Sequence, residues 1–131
     1  MNWWSDPWFR VALLLPLPVW GAWSVLGVKP LVAWWLLVIV APIVEELAFR
    51  GALQTLLLCS HAGKLRYGAI SGANALTASA FGLTHVWANG DPVGLLTFFP
   101  GIVFGFFRER YRGVPPAIVL HSYYNAGLLL I

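Results

Sequence analysis

Charge is what this sequence has least of: Asp, Glu, Lys and Arg make up 10% of its 131 residues, where a soluble globular domain carries about 25%. Apolar and aromatic residues fill 60% of it. The solvent in which the chain folds is therefore a bilayer, and the expectation is an all-α, polytopic integral membrane protein forming one domain over residues 1–131. A single cysteine, Cys59, excludes an intrachain disulfide. It also makes a poor thiol nucleophile, because His61 stands two residues on and residues two apart on a helix do not face each other. Aspartate is missing from the apolar runs, and neither HExxH nor GxSxG occurs, which removes the zinc-helix and nucleophile-elbow routes to hydrolysis. Repeats, low-complexity segments and linkers are absent too. The formal charge of +3 is no nucleic-acid footprint, since the cations are scattered over the ends of apolar stretches and form no face with stacking aromatics.

What is present is apolar length. A spanning helix needs about 20 mostly apolar residues, and five stretches qualify: 9–27, 31–59, 70–88, 93–110 and 114–131. With five spans, Arg10, Lys64, Arg66, Arg108, Arg110 and Arg112 lie on one side and Lys29 on the other. The positive-inside rule then places the N-terminus in the cytoplasm and the C-terminus across the membrane. Trp3, Trp4 and Trp8 around Asp6-Pro7 read as an interfacial anchor, and Trp20, Trp23, Trp34 and Trp35 mark the far interface around a turn at 27–30. Pro16 and Pro18 should kink the first span and Pro100 the fourth, while Pro42 leaves the carbonyl of Val38 without its helical partner. Pro115-Pro116 opens the last helix. Gly68, Gly72, Ala78 and Gly82, and then Gly101 and Gly105, offer small faces for close helix packing. Arg108-Glu109-Arg110 reads as a solvated cytoplasmic end, His61 as interfacial, and Asp91 as a turn residue.

Within the second stretch stands Glu45-Glu46-Leu47-Ala48-Phe49-Arg50. A charge near the bilayer centre costs from ~3 kcal/mol upward, so such a cluster marks either a functional site or a buried structural ion pair. A helical wheel advances ~100° per residue, which sets Arg50 ~40° from Glu46 but ~140° from Glu45. Glu46 and Arg50 should pair at i,i+4, leaving Glu45 free and facing elsewhere. The other strongly polar side chains in the spans are Asn74 and His85 in the third and His121 and Asn125, also at i,i+4, in the fifth. Phe81, one turn before His85, could wall a pocket. A free carboxylate, two imidazoles and a carboxamide that converged could hold a water, take its proton and offer donors to an oxyanion. The chemistry implied is hydrolysis of a carbonyl, with Glu45 as general base.

EExxxR at Glu45–Arg50, FxxxH at Phe81–His85 and HxxxN at His121–Asn125, each on an expected span, resemble the motifs of the CPBP family. These are the CAAX-protease and bacteriocin-processing intramembrane endopeptidases, also called the Abi family or type II CAAX prenyl endopeptidases. The resemblance covers residues 45–125. It implies a metal-free glutamic protease without a cofactor, in which Glu45 and His85 activate water, His121 and Asn125 complete the site and support the oxyanion, and Glu46, Arg50 and Phe81 support it structurally. Two histidines, a glutamate and an asparagine could also coordinate zinc. Expected partners are the lipid bilayer and a membrane-anchored protein or peptide, by analogy with small bacterial members a C-terminal sorting anchor of an exported protein. The location implied is a bacterial inner membrane, with a second copy or lipid supplying walls that so short a chain lacks. Other readings are a peptide-binding immunity protein without catalysis and an ion or proton pathway. His85 falls near the outer end of its span and His121 about two turns from the cytoplasmic end of its own. For the two to meet, the third span should begin nearer Ala75, with the site on the non-cytoplasmic half.

Overall fold

The structure, a computed structural model, describes residues 2–26 and 32–129, and apart from one short hairpin its regular elements are helices. The turn at 27–30 with Lys29, and the side chain of Trp23, lie outside the described residues. Among those described, no helix is long and apolar enough to cross a membrane. The all-α expectation holds, but the five stretches are not five uninterrupted helices.

The first is divided. Helix α1 (Pro7–Leu14) is capped by Asp6, whose carboxylate accepts from the Trp8 N–H at 3.0 Å, with Pro7 in the first turn. Pro16 sits in the break before α2 (Leu17–Leu26), because proline supplies no N–H to carry the ladder across. Trp20, expected at the far interface, packs over Gly127, where an added Cβ would meet the indole at 1.8 Å, and donates Nε1–H to the Tyr124 carbonyl at 3.1 Å.

The second stretch is built from four pieces set head to tail: a π-helix Leu36–Val40, an α-helix Ala41–Glu46, a π-helix Leu47–Leu53 and an α-helix Gln54–Leu58. The junction residues Ala41, Leu47 and Gln54 keep right-handed helical dihedrals. The pieces form one rod, α3 (residues 36–58), of roughly 35 Å at ~1.5 Å per residue. No single piece has that reach.

Helix α4 (His61–Lys64) and the antiparallel hairpin of β1 (Arg66–Tyr67) and β2 (Ile70–Ser71) lead to α5 (Gly72–Asn89). Gly68 turns the hairpin at φ 62° with nothing near its Cβ position, so it is a turn glycine and not a packing one. Helix α5 begins at Gly72, not near Ala75, because Ser71 Oγ caps it by accepting from the Asn74 N–H at 2.9 Å. Gly72 itself packs on α4, where a Cβ would meet the Ala62 carbonyl oxygen at 2.2 Å. Gly90, at φ 66°, ends α5, and Asp91 caps the next turn as expected, accepting from the Val93 N–H at 2.9 Å. A 3₁₀ segment, Pro92–Thr97, runs into α6 (Phe98–Tyr111). Pro100 therefore falls in the first turn of α6, where a missing N–H costs little, and does not bend a longer helix. The last helix, α7 (Pro115–Gly127), opens on Pro115-Pro116.

Phe9, Ala12, Phe104, Phe107, Ala117 and Leu120 form an apolar cluster that holds α1 against α6 and α7. Beside it, Asp6 accepts from Arg110 Nε at 2.5 Å and from the Tyr111 hydroxyl. Elsewhere the packing is inverted relative to a soluble domain. Leu56, Leu83, Trp87 and Phe99 point outward, while Glu46, Arg50, Gln54, Asn74 and Thr77 are buried at the centre. A polar interior with an apolar exterior suits lipid, which offers helices no hydrophobic drive to associate and leaves small faces and polar contacts to hold them.

Burial pushes the Asp6 carboxyl up, but the hydrogen bonds from Tyr111 and Arg110 outweigh it and hold the carboxyl below its ordinary value. A depressed folded-state value means that the clasp stabilises the fold above the unfolded-state pKa and fades as pH falls through the folded one. Asp6→Asn should lower the thermal midpoint slightly at pH 7 in detergent, Arg110 being partly exposed, and the gap to the parent should close in acid. A gap that persists in acid would assign the loss to something other than ionisation.

Candidate active site

Helix α3 aims three charges inward. Glu46 and Arg50 are both fully buried, and Arg50 Nη1 donates to Glu46 Oε1 at 3.1 Å. Arg50 Nη2 donates to the Gly101 carbonyl at 3.0 Å, and the guanidinium carbon lies 4.5 Å from the Phe81 ring centre and 5.5 Å from that of Phe104. The weakly hydrated, planar guanidinium suits such a site, since aromatic faces take up the charge that hydrogen bonds leave.

His121 of α7 is buried and stacks on Phe104 at 5.0 Å, edge-on to Phe81 at 5.7 Å. Its Nδ1 lies 2.8 Å from Glu46 Oε1, the oxygen that Arg50 already holds. An ionised carboxylate can only accept, so Nδ1 carries the hydrogen and Nε2 is directed elsewhere. That nitrogen stands 3.8 Å from Glu45 Oε2, beyond a direct hydrogen bond. Glu45 is 31% exposed, whereas Glu46 is sealed in. Two adjacent carboxylates thus occupy different environments, one neutralised and one open.

His85 of α5 ties its Nδ1 to the Phe81 carbonyl at 3.0 Å. A carbonyl accepts, so here too Nδ1 bears the hydrogen and Nε2 is left as the acceptor. The Phe81 ring lies 4.4 Å from the His85 ring and 5.7 Å from that of His121. Both imidazoles thus contact the Phe81 ring. Among the described residues, no hydrogen bond or ion pair joins Glu45 to His85 or to Asn125. Asn125 Nδ2 donates to the Leu37 carbonyl at 3.0 Å.

A second polar centre lies beyond Arg50, and sequence reasoning missed it. Gln54 Nε2 donates to the Gly105 carbonyl at 3.1 Å and to Glu109 Oε1 at 2.8 Å. Glu109 also accepts from Ser71 Oγ at 2.5 Å and from Arg66 Nη2 at 2.7 Å. Arg108 donates to the Arg50 carbonyl at 3.2 Å and to Thr55 Oγ1 at 2.6 Å. The Arg108-Glu109-Arg110 run is therefore no solvated end: Arg108 and Glu109 lock α6 to α3 and to the hairpin, and Arg110 holds Asp6. The spacing 46, 50, 54 on one helix face was the available signal.

A family model described as type II CAAX prenyl endopeptidase Rce1-like matches residues 27–127. The chain belongs to this family. Its members are peptidases held in membranes, which sets the location of this chain in a membrane and its activity, at the coarse level, as peptide hydrolysis. No curated protein and no solved structure matches the chain. The matched span takes in α3 and α5 to α7, so Glu45, His85, His121 and Asn125 of this CAAX-endopeptidase relative all fall inside it.

Removing one partner of the Glu46–Arg50 pair strands a buried charge. Glu46→Gln should cost about 3–5 kcal/mol, read as a lowered thermal midpoint in detergent; an unchanged midpoint would mean the pair is not sealed from water. Gly105→Ala places a Cβ 1.9 Å from Asn74 Oδ1 and 3.1 Å from Gln54 Oε1. It should destabilise by about 1–3 kcal/mol through overpacking, and the loss should shrink when Asn74 is also cut back to Ala.

Proposed function

We propose that this chain is an intramembrane endopeptidase of the glutamic type, with Glu45 as general base and His121 as its proton partner. The observation that carries this reading is the pair of carboxylates with separate tasks. Buried Glu46 fixes the His121 tautomer and leaves Nε2 pointing at the half-open Glu45, 3.8 Å away.

A water between the scissile carbonyl and Glu45 loses a proton to the carboxylate as its oxygen attacks the carbonyl carbon. The tetrahedral oxyanion needs a donor, and the leaving amine needs a proton. His121 Nε2, once it has taken that proton on from Glu45, is placed to supply either. Fixing Nδ1 on Glu46 makes Nε2 the nitrogen that exchanges protons with the reaction. His85, across the Phe81 ring, presents a second acceptor that orients the water. The substrate class is a membrane-anchored protein or peptide, and the chain needs no metal. It is multi-pass in a bacterial inner membrane, with a cytoplasmic N-terminus.

Glu45→Gln should leave insertion and thermal midpoint near those of the parent while lowering kcat by about 10²–10⁴-fold in cleavage of membrane-anchored peptides in liposomes. Retained cleavage would remove Glu45 from the role of base. Stoichiometric zinc in active purified protein would overturn the metal-free mechanism.

A further inference from the structure

Helix α3 departs from the α register one turn and a half before Glu45. The Ala41 N–H bonds the Leu36 carbonyl, five residues back, in the π manner. In an α-helix that same N–H would bond Leu37. Leu37 thus loses its ordinary donor to the π turn. The next donor in the π register would come from position 42, and Pro42 has no N–H. The Leu37 carbonyl is left open from within its own helix, in a segment where lipid supplies no replacement. Asn125 Nδ2 fills it at 3.0 Å.

We infer that Asn125 selects the π register of α3 and so aims Glu45; it is a positioning residue, and this role rests on the endopeptidase reading above. Two donors compete for the Leu37 carbonyl, Ala41 N–H and Asn125 Nδ2–H. While Asn125 holds it, Ala41 serves Leu36 and the extra residue of the π turn is kept. If Asn125 withdraws, the Ala41 N–H returns to Leu37 and the turn tightens to α. Removing one residue's worth of winding rotates everything beyond it by about 100° relative to the preceding segment. Glu45 and Glu46 would then leave the His121 face. Asn125 and His121 stand one turn apart on α7, so one helix face both sets the register of α3 and receives the carboxylates it presents.

Restoring the missing donor tests this directly. With alanine at position 42, the π register has an N–H for the Leu37 carbonyl, and Asn125 becomes dispensable for holding it. Asn125→Ala should lower kcat roughly 10–100-fold with little change in KM, and lower the thermal midpoint in detergent by about 5 °C. Pro42→Ala alone should change both only slightly. The double variant Pro42→Ala/Asn125→Ala should recover most of both losses. No recovery of the midpoint overturns the register role. Recovery of the midpoint without recovery of kcat shows that Asn125 touches the reacting atoms and is more than a positioning residue, which overturns the inference as stated. If no variant, nor the parent, cleaves any peptide while the midpoint is rescued, the endopeptidase reading fails and the brace on Leu37 stands.

Discussion

One oxygen holds the centre of this molecule. Glu46 Oε1 accepts from Arg50 Nη1 at 3.1 Å and from His121 Nδ1 at 2.8 Å, within a fully buried carboxylate. A buried ion pair repays its desolvation only when geometry is good and further hydrogen bonds take up the remaining donors. Arg50 is tied again to the Gly101 carbonyl on α6 and to the Phe81 face on α5, and His121 to the Phe104 face on α6, while Glu46 Oε2 and Arg50 Nε have no hydrogen-bond partner among the described residues. A single charge pair on α3 therefore fixes α5, α6 and α7 in one arrangement. Any slip of one helix would leave a charge without its partner in an apolar interior.

The small residues follow from that constraint. Gly101 lets the Arg50 guanidinium reach a carbonyl, since a Cβ there would stand 3.2 Å from Nη2. Gly105 admits two carboxamide oxygens that a side chain would displace. The small-xxx-small spacing of α6 reads in the sequence as helix-to-helix contact. In the fold Gly101 does pack on Ala78 of α5, and the same face also admits the polar side chains of α3 and α5.

What could be read from the sequence was whatever depends on local geometry. The Glu46–Arg50 pair follows from i,i+4 spacing, the proline opening of α7 from the tolerance of the first helical turn, and the Asp91 cap from turn chemistry. The different settings of Glu45 and Glu46, one partly exposed and one sealed against Arg50, were legible for the same reason. Contacts that join distant segments were not. Arg108 and Glu109 look solvated on their own helix, and only the approach of α3 and the hairpin gives them partners. Nor does the local sequence around Trp20 announce that its indole packs over Gly127 of α7. The break at Pro42 was legible, but an α register looks for the open carbonyl at Val38, while the carbonyl that Asn125 fills, in the π turn, is that of Leu37.

That displacement carries a general consequence for helices that must deliver charges inside lipid. A regular α-helix satisfies its own backbone and needs nothing from its neighbours, so its rotation is set only by packing. A π turn followed by proline leaves one carbonyl open and makes the rotation depend on a donor from another helix. The cost of an unpaired backbone group in an apolar medium, several kcal/mol, then becomes a constraint on where Glu45 and Glu46 point. Local irregularity and buried charge belong to the same design: the first makes α3 adjustable by α7, and the second makes one setting far more stable than the rest. Sites that break a local rule are where function concentrates. In this chain the broken rule lies about a turn and a half before the two carboxylates, in the helix turn that Asn125 braces.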